Sequence, residues 1–247
     1  QLATSLLQIE NEFYGTIRPK RVIFSGERPL HALRERGVEY VEVRLLDLDP
    51  FVPVGITAQT MRFIDVFLLH CLLADSPPDT PQEITELAHN QHRTAASGRE
   101  PGLRLERAGR EIPLVDWGAE LLEAFGPIAA ALDAAHNTTD YSDAVRSAES
   151  GLHDPSTLPS ARVLAAMAAE HENSFVRFVR EQSLQTQKNL LSLPFTDAQQ
   201  AYFADLTQKS IADQQAIEAA DTMPFEQYRE QYVSPRRLGI PAAVAHT

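Results

Sequence analysis

Between Val38 and Leu48 the chain alternates residue by residue, and this two-residue period restricts the fold more than any other feature. Successive side chains of a strand point to opposite faces. Val41, Val43 and Leu45 therefore share one face, and Tyr40, Glu42, Arg44 and Leu46 share the other. The first set is expected to face a core. The second sets a carboxylate and a guanidinium side by side. Gln8–Tyr14 alternates in the same way, with Glu10, Glu12 and Tyr14 on one side and Ile9, Asn11 and Phe13 on the other, until Gly15 interrupts it.

From Thr57 onward the period becomes helical. Thr57 is placed to cap a helix over Ala58–Ala74, with Met61, Ile64, Leu68, Cys71 and Leu72 as its apolar stripe. A proline-rich break at Ser76–Pro81 follows, and Gly98, Pro101 and Gly102 make Asn90–Leu105 a helix end and then a loop. Asp116–His136 is expected to be helical, bent or split at Gly126-Pro127. Ser160 opens a helix with Leu164, Met167, His171, Phe175, Phe178 and Val179 on one face. Pro194 ends that unit, and Thr196 caps a glutamine-rich helix to about Asp221. Helix outweighs strand and the strands gather early, which gives an α+β class. The expected division is a sheet portion over residues 1–56, a helical portion over 57–232 and a tail over 233–247.

With 34 acidic and 22 basic side chains among 247 residues, the net charge of −12 disfavours a general nucleic-acid or anionic-membrane binder. The longest apolar stretch, Val66–Ala74, is interrupted by His70 and falls far short of the ~20 residues of a membrane helix. A lone cysteine, Cys71, cannot form an internal disulfide or a multi-thiolate metal site, so a reducing, cytoplasmic setting is expected. Glycine-rich phosphate loops, paired Cys-x-x-Cys, His-Glu-x-x-His and Gly-x-Ser-x-Gly are all lacking from the sequence.

The distinctive feature is charge in strand-like surroundings. Glu10 and Glu12 lie beside Tyr14, Arg18, Lys20 and Arg21 follow, and Glu39, Glu42 and Arg44 come next. Carboxylates suit a hard divalent cation and arginine forks suit phosphate oxygens, so the combination could hold a metal–nucleotide complex. Ion pairs laced across an exposed sheet face give the same pattern, and Ile17–Arg21 also reads as a solvated turn. His89 and His92 are expected to be surface histidines, His171 a hydrogen-bonded core histidine and Cys71 inert packing.

Five collinear motifs carry a family resemblance: Leu7–Tyr14 (LQIENEFY), Ile17–Arg21 (IRPKR), Val38–Arg44 (VEYVEVR), Asp47–Phe51 (DLDPF) and Gly98–Leu103 (GREPGL). Ser160–Arg162 and Glu218–Asp221 extend it. In this order and spacing they resemble the proteobacterial type of glutamate–cysteine ligase. The resemblance implies an antiparallel catalytic sheet, partial here and related to the glutamine synthetase architecture, followed by a mainly α-helical portion. It implies ATP-dependent joining of the glutamate γ-carboxylate to cysteine through a γ-glutamyl phosphate, the first step of glutathione biosynthesis, with Mg²⁺ or Mn²⁺ across the phosphates.

Carried over by motif, Glu42 resembles the family's metal-binding glutamate and Arg44 the arginine on the transferred phosphoryl group. Tyr14 resembles a tyrosine of the cysteine pocket, and Arg18 falls in a substrate-binding motif. Glu10, Asn11 and Glu12 sit in matching motifs without assigned roles. The chain resembles the C-terminal half of the family's longer chains, so the N-terminal half is an expected partner and the isolated chain is expected to be inactive. Two alternatives remain open: a non-catalytic subunit docking on a separately encoded half, and a carboxylate–amine ligase with another amine acceptor.

Overall fold

A computed structural model describes residues 14–24, 26–44 and 46–234. The chain forms two compact units, one of residues up to Asp47 together with those from Pro194 onward, the other of Leu48–Leu193.

In the first unit, β1 (Ile17–Lys20) and β2 (Tyr40–Val43) form an antiparallel ribbon with Arg18 opposite Glu42 and Lys20 opposite Tyr40. Helix α1 (Pro29–Arg36) lies between them in sequence, opening on a proline whose missing N–H costs nothing at a helix start. Gly37, at φ +72°, stops it in a backbone conformation that side-chain-bearing residues resist. An ionic knot fixes the connection. Both Glu27 oxygens accept from Arg36 at 2.7 Å, and Arg36 also donates to the Val22 carbonyl at 3.0 Å.

Val38–Leu48 was expected to be one long strand; among the described residues the strand runs over Tyr40–Val43. Ile17–Arg21, open between strand and turn, supplies the partner. The expected core face also differs, since Val41 and Val43 are 43% and 41% exposed. Among the described residues the ribbon has only two strands, too few to bury an apolar side by themselves. Leu45 lies outside the described residues, as do residues 1–13 of the first alternating segment and 235–247 of the expected tail. Two helices complete this unit. Helix α8 (Asp197–Ala220) opens on the reciprocal capping box of Thr196 and Gln199, and α9 (Phe225–Tyr232) follows.

The second unit is helical apart from one hairpin. Its core joins Val66 of α2 (Ala58–Leu73), Phe125 and Ala129 of α4 (Leu114–His136) and Val145 of α5 (Asp140–His153). Thr57 caps α2 by accepting from the Thr60 N–H at 3.0 Å. The stripe read from α2, however, is not its buried side: Met61, Cys71 and Leu72 are exposed, while Val66 is fully buried and Phe63 packs on the core. Apolar residues run almost all round this helix, so periodicity could not select the core face. Cys71 is therefore exposed rather than core packing, with its thiol pushed up by partial burial.

Pro127 neither splits α4 nor ends it. An interior proline costs about 3 kcal/mol. Burying Phe125 and Ala129 on either side, with a full aromatic worth up to about 3 kcal/mol, offsets much of that. The helix expected from Ser160 is two helices, α6 (Pro159–Glu170) and α7 (Phe175–Leu191). Glu172 and Asn173 adopt positive φ between them, and Ser174 caps α7.

Helix α3 (Pro81–Ser97) leads to a hairpin the sequence reading missed, β3 (Arg104–Arg107) paired with β4 (Arg110–Pro113). Strands therefore do not all gather early. Its turn residues, Ala108 and Gly109, both have positive φ, the geometry of a two-residue hairpin turn. Alanine there lacks the usual Asn-Gly signature, and the strands are arginine- and glutamate-rich. Asn90 fastens α3 to the hairpin, bonding both the N–H and the carbonyl of Glu106 at 2.7 Å.

Candidate active site

Register decides which charges meet. Because Arg18 faces Glu42, residues 18, 20, 40, 42 and 44 all project from one face of the ribbon, and Ile17, Pro19, Val41 and Val43 from the other. A solvated turn would have scattered these cations. The ribbon gathers them around one carboxylate.

Arg44 Nη2 donates to Glu42 Oε1 at 3.1 Å, Lys20 Nζ stands 3.2 Å from Oε2, and Arg18 Nη1 lies 3.9 Å from the same oxygen. The Lys20 contact is ionic rather than an aligned hydrogen bond, since Oε2 is buried without a hydrogen-bond partner. The hydrogen bond from Arg44, then the contact from Lys20, holds the Glu42 carboxyl below the usual carboxylate range. Three cations against one carboxylate leave two positive charges in excess, in a chain whose net charge is −12. The ring of Tyr14 meets two of these cations, with the Arg44 guanidinium 5.2 Å and that of Arg18 5.7 Å from its centroid. Tyr14 is otherwise 73% exposed.

Two atoms of the cluster are unfinished. Glu42 Oε2 lacks a hydrogen-bond donor, and Arg44 Nε lacks an acceptor, although both are buried. Buried polar atoms are almost always paired in native proteins, so these two atoms are where a ligand or an ordered water could complete the geometry. An orphaned carboxylate oxygen fits one position in a divalent cation's oxygen shell. Among the described residues, however, no group of three or more His, Cys, Asp or Glu could hold a metal ion, so Glu42 offers a single ligand. Glu10, Asn11 and Glu12 lie outside the described residues.

The chain matches the family model described as glutamate-cysteine ligase over residues 1–94. The glutamate–cysteine ligase of Pseudomonas fluorescens (strain Pf0-1) is 44% identical to it over 232 residues, covering 94% of this chain and 43% of that protein. For the enzyme of Janthinobacterium sp. (strain Marseille) the identity is 45%, over 94% of this chain and 44% of that one. Over residues 1–94 the chain carries the glutamate–cysteine ligase family's domain, and over 94% of its length it is similar to these enzymes. It spans less than half the length of these relatives. The crystal structure of the glutamate–cysteine ligase from Francisella tularensis, in complex with AMP, matches with a TM-score of 0.82 at 34% identity, over 94% of this chain and 46% of that one. A bifunctional glutathione synthetase from Pasteurella multocida shares the fold alone, at a TM-score of 0.52 and 23% identity over 73% of this chain and 22% of that one.

Motifs distant in this family sequence also meet in the second unit. The Arg162 guanidinium lies 4.0 Å from the centre of the Phe51 ring, and Phe51 packs on Phe178 at 5.9 Å. His171 is buried at 4% exposure beside Phe178, but its ring makes no hydrogen bond; the Glu181 carboxylate is 3.4 Å from its Nδ1. The expectation of a hydrogen-bonded core histidine is thus half met. His89 is a surface residue 3.4 Å from Glu106. Among the described residues, no helix is long and apolar enough to cross a membrane.

Proposed function

We propose that this chain supplies the phosphate-facing ribbon of an ATP-dependent glutamate–cysteine ligase. The observation that carries this reading is the Glu42–Arg44 pair, bonded to each other yet each with one buried polar atom unfilled, within an excess of positive charge. The rest of the site is assigned to the portion of the relatives' length that this chain does not span.

In the reaction, a γ-carboxylate oxygen of glutamate attacks the terminal phosphorus of ATP, and the bond to the bridging oxygen breaks to release ADP. The cysteine amine then attacks the acyl carbon, the C–O bond to phosphate breaks, and a proton leaves the nitrogen. Arg44 offers Nε to an oxygen of the transferring group, where charge is redistributed rather than created, and so positions as well as neutralises. Arg18 adds attraction for the polyphosphate or for a substrate carboxylate. Tyr14 lies against both guanidinium groups, and its phenol is assigned to the cysteine acceptor. Glu42 would offer one oxygen to a divalent cation such as Mg²⁺ or Mn²⁺, which would supply neutralisation of phosphate charge.

The test is ADP release with Mg²⁺, ATP and glutamate, with and without cysteine, by a polypeptide of the relatives' full length containing these 247 residues. Release that needs both amino acids upholds the ligase. Release that is equal with any amine in place of cysteine keeps the carboxylate–amine ligase and removes the cysteine assignment.

A further inference from the structure

We propose that Lys20 is a positioning residue whose task is to keep Glu42 neutralised while Arg44 turns to an incoming phosphoryl group. The proposal deepens the ligase reading and rests on it for the identity of the anion in the cell.

The argument starts from how Glu42 divides its two oxygens. Oε1 accepts the Arg44 Nη2 hydrogen bond at 3.1 Å, whereas Oε2 faces Lys20 at 3.2 Å. Arg44 is thus tied to the carboxylate that must also release it. In the metal-free site, a guanidinium that swaps a carboxylate for a phosphate oxygen leaves that carboxylate with one close partner fewer, and losing a counter-charge in partly buried surroundings is costly. Lys20 removes the cost, because it stands nearer to Oε2 than Arg18 does, at 3.2 Å against 3.9 Å. It also comes from the opposite strand, held in register by the backbone pairing of Lys20 with Tyr40. Arg44 can therefore move without carrying its counter-charge along.

This assigns Lys20 a role that depends on Glu42. A lysine that simply touched the anion would act whether or not Glu42 is charged. A double-mutant cycle separates the two. The probe is inorganic pyrophosphate, titrated calorimetrically into the full chain with no divalent cation present. Lys20→Met is expected to weaken binding by about tenfold in the wild-type background and by less than about twofold in the Glu42→Gln background, where no carboxylate competes for Arg44. Lys20→Arg, which preserves the charge, is expected to restore most of the loss.

Equal losses in both backgrounds would overturn the proposal in favour of a direct Lys20–phosphate contact. No loss in either background, or no pyrophosphate binding by the wild-type chain, would overturn it as well. The ADP-release assay above reads the ligase function separately. A positive cycle with no amino-acid-dependent ADP release would keep the Lys20 role and reject the ligase; the reverse pair of results would keep the ligase and reject Lys20.

Discussion

Arg18 and Glu42 are cross-strand partners on the β1–β2 ribbon, with their side chains ending 3.9 Å apart. That pairing fixes the register, and the register turns two separate sequence motifs into one electropositive cluster. A slip of one residue would send Arg18 and Lys20 to the apolar face with Val41 and Val43. The function proposed for this chain therefore depends on a backbone alignment of only four residue pairs.

Glu42→Gln keeps the shape of the side chain and removes its charge. In the full-length polypeptide, turnover is expected to fall by roughly 10²-fold or more, as loss of a preorganised electrostatic contact commonly does. Steady-state kinetics over a range of Mg²⁺ checks this; an unchanged kcat at low Mg²⁺ would remove Glu42 from the site.

Glu27 links folding of the ribbon unit to pH. The two hydrogen bonds from Arg36, then the Phe24 N–H, lower its carboxyl from 4.5 to about 2. A depressed acid contributes stability that is present above its unfolded value and is lost as pH falls through its folded value. The contribution is therefore whole above about pH 4.5 and fades toward about pH 2. Thermal melts across this window should show a steeper acid limb for the wild type than for Glu27→Gln, which should also melt lower near neutrality. Parallel limbs would refute the link.

Asn90→Ala removes both hydrogen bonds that fasten α3 to the hairpin strand at Glu106. Backbone groups that lose buried partners should cost about 1–3 kcal/mol. Urea denaturation measures this, and a midpoint equal to that of the wild type would show that water takes over both bonds.

Phe125→Ala empties the centre of the α2–α4–α5 core, where the ring is 2% exposed and meets Phe63 edge-on at 5.9 Å. The expected loss is about 3–5 kcal/mol. The same denaturation experiment would count against this core if the change were under about 1 kcal/mol.

How much of this was legible depended on how strongly each local signal was written. Thr57 and Thr196 cap the helices they were expected to cap, since a hydroxyl before a helical run satisfies N–H groups that nothing else can reach. Ala108-Gly109 hid its hairpin because alanine seldom tolerates positive φ and so gives no turn signal. The break at His171–Ser174 was equally silent: an apolar stripe in phase on both sides made two helices read as one. In α2 the difficulty was an excess of apolar residues, which left the buried face to be chosen by the neighbouring helices.

The sequence by itself determined the charges available, the strand period that puts Glu42 and Arg44 on one face, and the motifs shared with glutamate–cysteine ligases. These are local properties, set by side-chain chemistry and by the alternation of a strand. Tertiary structure decided the rest. It placed Arg18 and Lys20 opposite Glu42, brought Tyr14 over two guanidinium groups, and left Oε2 of Glu42 and Nε of Arg44 unfilled. Arg18 and Lys20 meet Glu42 across the nineteen residues that separate β1 from β2, and only pairing across that distance can select one register.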